Sequence, residues 1–566
     1  MADDVKSVTP GESAAAPGEA GPSRTSALAP FSVPIFRSIW IASMIANFGM
    51  LFQAVGASWM MISLDDSPKM VALVQSTNTL PIMLLSLLAG AMADNVDRRI
   101  IMLAAQIFML VISAALAVTA WLGLLTPWLL LGFTFLVGCG TAMYLPAWQA
   151  SVGEMVPRAL LPGAVAMNSM GFNMARSIGP AFGGMIVALW GAASTFLLNA
   201  LSYIGVIRVL WGWRPERPPR LLPREEIGQA MLAGVRYVVL SPTLWRVMLR
   251  GCLFGLAGSA VPAMMPLVAY NLLRGGALTY GLLLGAFGIG AVIGAFSTSR
   301  LRRHLSTENI VRSGILAMAV GAMIAGSSRM MPFAMAGLIV AGAGWVLTLS
   351  SFNVTVQLSS PRWVVARALS LYQMFTFGGM AGGAWIAGII AQQYNVSVAL
   401  FAAGGMAVAG LLIGRWFPLP ELQDVNLDPL ANWNVPQNAL TIQPRSGPII
   451  VNVEYRISAA DIPQFLILMH ERHRIRRRDG ARSWSLQRDL AEPDLWIERY
   501  ELPTWTEYVR HNQRRTQADL ANFEAARALH IGPDLPIVRR RIERQTSSLP
   551  GAHELASAAT DPSGRH

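Results

Sequence analysis

Four polar side chains interrupt long apolar runs of the sequence and could bind a small molecule. They are Asn168, Asn173, Arg176 and Asn199. Polar groups are costly in lipid, so at membrane depth they are expected to face the interior of a helix bundle. We therefore predict that they line a substrate cavity. For Arg176 two interpretations stay open: a cavity cation that meets an anionic substrate or a gating carboxylate, or a structural arginine paired with backbone carbonyls or Glu154.

A short basic turn carries charges that could pair across a gate. It contains Gly90, Asp94, Asp97, Arg98 and Arg99. A small residue such as Gly90 lets two helices approach closely. Asp94 can pair with an arginine or with the positive end of a neighbouring helix, and the arginine pair can anchor at lipid headgroups. That the turn forms a gate is what the family resemblance given below implies, and the alternative is a turn that only sets topology.

A third group is typical of a close helix crossing. Gly179 and Pro180 are followed by Gly183 and Gly184. Proline inside a helix produces a kink, and glycines at this spacing give a flat face on which another helix can pack. We predict that these four residues lie at a helix crossing.

The elements that must position these residues are membrane-spanning helices. Of the 566 residues, 53% are hydrophobic and 13% are charged, whereas roughly a quarter are charged in soluble domains. A span needs about 20 mostly apolar residues in a helix. We predict twelve spans, at residues 38–64, 70–92, 99–122, 127–150, 163–188, 192–212, 245–272, 279–299, 309–328, 332–356, 366–392 and 396–416.

The membrane region repeats after a shift of 204 residues. The shift brings the following pairs into register: Gly90 with Gly294, Arg98 with Arg302, Arg99 with Arg303, Gly179 with Gly383 and Gly184 with Gly388. Parallel repeats are a transporter architecture with the substrate path between the halves. We predict two six-helix bundles, residues 36–212 and 244–417, joined by a linker at 213–243. The aspartate is not repeated, because Thr298 stands at the position of Asp94.

The distribution of arginines predicts the orientation of the chain. The formal net charge is +12, and many arginines lie in the turns after even-numbered spans, including Arg98, Arg158, Arg214, Arg300 and Arg362. Basic residues concentrate in cytoplasmic loops. Both termini of this multi-pass protein are therefore expected in the cytoplasm, at the plasma (inner) membrane. The positive charge then serves topology, and nucleic-acid binding is not predicted.

The remaining regions are polar. Residues 1–35 and 546–566 have the composition of disordered tails, and residues 418–447 form a second linker. Residues 448–545 read as strand, helix, strand, strand, helices and strand, which is the ferredoxin-like order. We predict an α+β cytoplasmic domain, with dimerisation through this domain as a further prediction. His470 and His473 flank Glu471, but a solvated basic face is favoured there over a metal site.

Two family resemblances rest on these motifs. The segment from Gly90 to Arg99 resembles the glycine–aspartate–arginine signature of the major facilitator superfamily, in which the aspartate is part of a cytoplasmic gate. The stretch from Pro146 to Ser202 looks like the enterobactin-exporter-like branch, the transmembrane secretion effectors. That resemblance implies export of a siderophore- or drug-like small molecule. The aromatic-rich polar region resembles the ferredoxin-like domain of antibiotic-biosynthesis monooxygenases.

The combined prediction is a twelve-span exporter working by alternating access, with no catalytic residues, no cofactor and no bound metal. Its expected partners are a small-molecule substrate and the lipid bilayer. Two alternatives stay open. One is a membrane-tethered monooxygenase-like enzyme, and the other is a membrane scaffold or sensor without transport.

Overall fold

The computed structural model describes residues 29–157, 160–214, 227–361, 363–419 and 442–543, with five single residues between 427 and 440. Within these ranges, the side chains of Asp94, Asn95, Pro162, Ser169, Asn173 and Ile227 are also outside the described part. Residues 1–28 and 546–566 of the predicted tails, residues 215–226 of the first predicted linker and most of the second predicted linker therefore lie outside the described residues.

Six helices form the N-terminal half of the membrane region. Their bounds are α1 Pro34–Leu64, α2 Pro68–Asn95, α3 Arg98–Trp121, α4 Pro127–Met155, α5 Leu161–Trp190 and α6 Ala192–Gly212. Proline occupies the first turn of α1, α2 and α4, where its missing N–H costs no hydrogen bond. The side chains of Asp97 and Thr126 cap α3 and α4 by accepting hydrogen bonds from backbone N–H groups.

A short linker helix, α7 Ile227–Val239, precedes the C-terminal half. The helices of that half are α8 Pro242–Gly258, α9 Ala260–Leu267, α10 Ala277–Leu301, α11 Thr307–Ser327, α12 Met331–Leu358, α13 Val365–Gln393 and α14 Val396–Trp416. A π-helical turn, Val268–Leu272, continues α9, so the segment from Pro242 to Leu272 acts as one span. The predicted span at 245–272 corresponds to this segment.

Eleven helical segments within the described residues are long and apolar enough to cross a membrane. The prediction of a multi-pass helical membrane protein is therefore confirmed. The helix α5, which contains the predicted span 163–188, is 30 residues long but is not among the eleven. The count of twelve spans stays a prediction.

The repeat in the sequence corresponds to a repeat in packing. A Cβ on Gly184 of α5 would lie 2.6 Å from the carbonyl oxygen of Ala277 in α10, and one on Gly388 of α13 would lie 2.6 Å from Cβ of Ala72 in α2. Both glycines therefore bring their helix against the opposite half. The equivalent residues Gly179 and Gly383 face the first span of their own half, α1 and α8.

Two seams consequently join the halves. We call the contact of α2 with α13 the first seam, and the contact of α5 with α10 the second seam. Along the first seam, α2 and α13 approach each other closely at Gly388 at one end and at Gly90 at the other. A Cβ on Gly90 would collide with the hydroxyl of Ser370. The second seam is close at Gly184 and at Ser177, whose hydroxyl donates to the carbonyl of Gly288 at 3.1 Å.

The polar C-terminal region folds around one sheet. Its elements are β1 Ile449–Arg456, α15 Ile462–Arg478, β2 Arg482–Arg488, β3 Leu495–Leu502, α16 Trp505–Gln513, α17 Gln517–Ala528 and β4 Ile537–Ile542. The strands pair antiparallel in the order β2-β3-β1-β4. Residues alternate between buried and half-buried along β1, as the sequence pattern predicts for a strand with one face on a core. The elements follow the predicted order.

The sheet region contacts the membrane region through α7 and one turn. The guanidinium of Arg514 lies 4.3 Å from the ring centroid of Trp363, in the turn before α13. The guanidinium of Arg478 lies 5.4 Å from the ring of Tyr237 in α7. Helix α7 in turn packs against α2, α8 and α13. We call this end of the helix bundle the domain side.

Candidate functional site

Arg176 lies where the second seam ends, and it points at the opposite half. Its guanidinium carbon is 6.0 Å from the ring centroids of Phe287 in α10 and of Trp345 in α12. Both rings are almost fully buried, whereas Arg176 is half-buried. Within the described part of the chain it makes no ion pair, and the predicted partner Glu154 instead contacts Arg98 at 2.7 Å. A cation held by aromatic faces in this way remains available to an anion.

The two asparagines predicted beside Arg176 share its helix. Asn168 is half-buried and lies eight residues before Arg176, roughly 12 Å along α5. The side chain of Asn173 lies outside the described residues. Its position three residues before Arg176 places both residues on one helix face, so its assignment to the cavity stays a prediction.

Asn199 belongs to a polar cluster inside the N-terminal half. Its side-chain amide donates to Gln53 of α1 at 2.5 Å, to Ser113 of α3 at 3.3 Å and to Tyr203 of α6 at 3.1 Å. Asn199 has no exposed surface. In this conformation the cluster joins three helices of one half by satisfying buried polar groups mutually, and the assignment of Asn199 to the cavity stays a prediction.

The basic turn ties four helices of the N-terminal half together. Arg98 donates to the carbonyl of Ala93 at 3.1 Å and pairs with Glu154 at the end of α4. Arg99 donates to the carbonyls of Leu210 and Trp211 at the end of α6. The carboxylate of Asp97 caps α3, while the side chain of Asp94 lies outside the described residues. Arginine bonds to carbonyls at helix ends satisfy acceptors that the helices leave free.

The predicted helix-crossing residues lie at two different crossings. Gly179 and Gly183 face α1, and a Cβ on Gly183 would lie 3.2 Å from the Cα of Phe52. Gly184 faces α10, and the carbonyl of Pro180 would lie 2.6 Å from a Cβ on Gly281 of α10. One helix can serve both neighbours because glycines on adjacent faces let two backbones approach it.

A buried ion pair in the C-terminal half was missed by the sequence analysis. Arg250 of α8 is 3% exposed and pairs with Glu308 in the first turn of α11. Glu308 also accepts from the backbone N–H of Leu419, after α14, at 3.0 Å. The available signal was an arginine inside the predicted span 245–272. Glu308 lies one residue before the predicted span 309–328 and is therefore outside the predicted spans.

The sheet region contains a second buried charge cluster, centred on Glu498. Its carboxylate accepts from Arg476 at 2.9 Å, from Trp484 at 3.1 Å and from Tyr455 at 3.3 Å, and Arg472 lies at 3.8 Å. Burial alone would raise the pKa of Glu498, but the charges of Arg476 and Arg472 lower it to about 2. A carboxylate surrounded by donors in this way accepts no proton near neutral pH, so the cluster does not form a general base.

Metal binding is not supported by the described residues, which contain no group of three side chains that could hold an ion. His473 stacks on Trp484 with ring centroids 4.6 Å apart. The preference for a basic face over a metal site around His470 and His473 stays a prediction.

Two helical repeats that meet along two seams, with a cation at the junction, define a membrane transporter of the major facilitator type. Solved structures share this fold. A bacterial homologue of the human lysosomal transporter Spinster, inward-facing and unoccupied, matches with a TM-score of 0.53 at 13% identity, over 69% of this chain and 95% of that one. A POT family transporter in complex with a thioalcohol-conjugated peptide gives a TM-score of 0.56 at 12% identity, over 68% and 95%.

The chain belongs to the transmembrane secretion effector family, whose model matches residues 25–548. The chain is also similar to the enterobactin exporter EntS of Citrobacter koseri, at 29% identity over 67% of this chain and 91% of the relative. The relative from Salmonella typhi is 29% identical over the same shares. The protein is therefore a membrane transporter, and the prediction of a transporter over a membrane-tethered enzyme is confirmed.

Proposed function

We propose that this protein exports a small anionic molecule by alternating access, with Arg176 as the cation that receives the substrate. The observation that carries the proposal is the position of Arg176, half-buried between the halves, over two aromatic rings of the opposite half and without an ion-pair partner among the described residues. A cation at a repeat interface recognises anions because the low-dielectric surroundings strengthen charge pairing.

The similarity to enterobactin exporters supports a siderophore- or drug-like substrate. Aromatic rings beside a guanidinium suit a ligand that combines aromatic rings with acidic groups, since such a ligand gains both stacking and charge contacts. The exporter direction and this substrate class are proposals for the present chain.

The test compares Arg176→Gln with the charge-conserving Arg176→Lys in reconstituted vesicles. We expect Arg176→Gln to raise KM for anionic aromatic compounds about tenfold or more, because the variant loses one hydrogen bond to a charged group. Neutral compounds of similar size should change little, and Arg176→Lys should restore part of the loss. Equal losses for both compound classes, with a lowered Tm, would instead support a structural arginine.

We further infer that the turn from Gly90 to Arg99 acts as a cytoplasmic gate. The support is the contact of Gly90 with Ser370 across the first seam, next to the arginines that hold the N-terminal half together. In the same assay Asp94→Asn should slow transport without lowering the amount of folded protein. An unchanged transport rate would show that the turn only sets the topology of the chain.

From the arginine distribution we infer that both termini and the domain side face the cytoplasm. The domain order β-α-β-β-α-α-β, with strand order β2-β3-β1-β4, supports a ferredoxin-like assignment. Dimerisation through this domain stays a prediction. Reporter fusions after Trp416 and in the 213–241 linker should both report cytoplasm, and opposite results would overturn the twelve-span topology.

A further inference from the structure

A cavity of about 370 Å³ lies between the linker helix α7 and the cytoplasmic domain. One wall comes from α7 and the other from α15 and the start of β2. The lining residues are Arg236, His473, Arg477, Ala481, Arg482, Ser483 and Trp484. We call this space the junction cavity, because neither the membrane region nor the domain forms it alone.

Three guanidinium groups face the junction cavity, and its lining contains no carboxylate from the part of the chain that the structure describes. The Nε atom of Arg236 is buried and has no hydrogen-bond partner among the described residues. Arg477 and Arg482 make no ion pair within the described part of the chain. In contrast, the neighbouring Arg476 and Arg478 on α15 pair with carboxylates at 2.9 Å. The positive charge at the junction is therefore concentrated at this cavity, to whose lining the described residues contribute no carboxylate.

This arrangement is unfavourable for the charged form of Arg236. Burial is the main cause that lowers its pKa, the charges of Arg514 and Arg482 lower it further, and the charges of Glu507 and Asp479 oppose this effect. A buried cation among other cations is unfavourable unless something neutralises it. An anion in the cavity would remove that penalty.

The aromatic wall of the cavity is fixed in place. The rings of Trp484 and His473 stack with centroids 4.6 Å apart and planes 16° apart. The indole N–H of Trp484 donates to Glu498 at 3.1 Å, which connects the wall to the buried cluster of the domain. A preformed wall lowers the ordering cost of binding.

We infer that the junction cavity is a binding site for a small anion that carries a phosphate or carboxylate group. Guanidinium groups recognise both groups through paired N–H donors. The anion can come from solution, as a phosphate or carboxylate compound, or from the membrane, as the headgroup of an anionic phospholipid.

Binding there would hold the domain against the first seam. Arg236 belongs to α7, which packs on α2 and α13, and the remaining lining residues belong to the domain. An anion that contacts Arg236 and Arg477 together therefore links the two parts. The site is separate from Arg176 and does not depend on the identity of the exported molecule.

The test uses the full-length protein in nanodiscs made only of phosphatidylcholine, titrated with inorganic pyrophosphate in a calorimeter. We expect saturable binding that weakens about tenfold in Arg236→Gln, Arg477→Gln or Arg482→Gln, because each variant loses a charged donor. The matched control is Arg541→Gln, which removes an exposed arginine from β4 at the opposite edge of the sheet from β2.

A second arm distinguishes the source of the anion. The same variants are placed in nanodiscs that contain phosphatidylglycerol, and Tm is compared with that in phosphatidylcholine. A rise in Tm that needs Arg236 and Arg477, without pyrophosphate binding, assigns the site to a lipid headgroup. If neither ligand depends on Arg236, Arg477 or Arg482 more than on Arg541, the inference is overturned.

Discussion

The two seams between the halves are related by the internal repeat, yet they differ at the domain side. Ser370, at the start of α13, is 4% exposed and packs on Gly90. Its repeat equivalent Ala166, at the start of α5, is exposed. One helical turn further, Met170 is 70% exposed, whereas its equivalent Met374 is half-buried. The first seam is thus closed on the domain side, and the second seam is more open there.

The sheet region and α7 lie at the first seam. Helix α7 packs against α2 and α13, and a Cβ on Gly234 of α7 would lie 2.8 Å from Cβ of Arg367 in α13. Arg514 of the domain contacts Trp363 just before α13. The domain therefore lies at the seam that is closed on the domain side, and Arg176 lies at the seam that is more open there. We infer that the two repeats differ at this end because the domain and α7 contact the first seam.

The largest effect is expected from Glu498→Gln. The change leaves Arg472 and Arg476 buried without a counter-charge, at a cost of about 3–5 kcal/mol. We expect faster hydrogen exchange in residues 449–542. The mean distance between spin labels at the domain-side ends of α2 and α13 should increase, and its distribution should broaden. The distance between labels on α5 and α10 should not change in this way.

The matched control for this prediction is Glu492→Gln. Glu492 is 52% exposed and pairs with the exposed Arg456, and pairs of this kind contribute about 1 kcal/mol or less. A melted domain with an unchanged first seam would show that the domain does not hold that seam closed.

Acid should weaken the same domain in a defined pH window. The folded-state pKa of Glu498 is lowered to about 2, so its stabilisation is complete above the unfolded value of about 4.3. This stabilisation, roughly 3 kcal/mol, is lost as the pH falls from about 4.3 towards 2. Thermal melts of the wild type between pH 6 and about pH 3 should show the first part of this loss. Glu498→Gln should lack this part of the pH dependence, and an equal slope in both proteins would contradict the assignment.

The smallest effects are expected from single methyl groups at the outer ends of the seams. In Gly184→Ala and Gly388→Ala the new Cβ lies 2.6 Å from its nearest neighbour, and overpacking of this kind costs about 1–3 kcal/mol. Distance measurements should show that Gly184→Ala widens the second seam more than Gly388→Ala widens the first. The control is Gly132→Ala, with no neighbour within 4 Å. Equal widening would mean that both seams are held equally.

The sequence alone determined the membrane region and its repeat. Long apolar runs cannot be solvated, so helices such as α3 and α14 begin and end within a residue or so of the predicted spans. The shift of 204 residues predicted that Gly184 and Gly388 are equivalent, and both contact the opposite half. The alternation along residues 449–457 likewise predicted β1. These features depend on local hydrophobic pattern, which the chain carries without reference to its fold.

Only the tertiary structure decided which polar residues meet. Arg176 faces Phe287 and Trp345, more than 100 residues away, and Asn199 instead joins Gln53 inside one half. The ion pair of Arg250 with Glu308 joins α8 to α11. Helical spacing fixes the face on which a side chain lies, but its neighbour depends on how the helices pack. The junction cavity has the same origin, since its two walls are separated by more than 200 residues of chain.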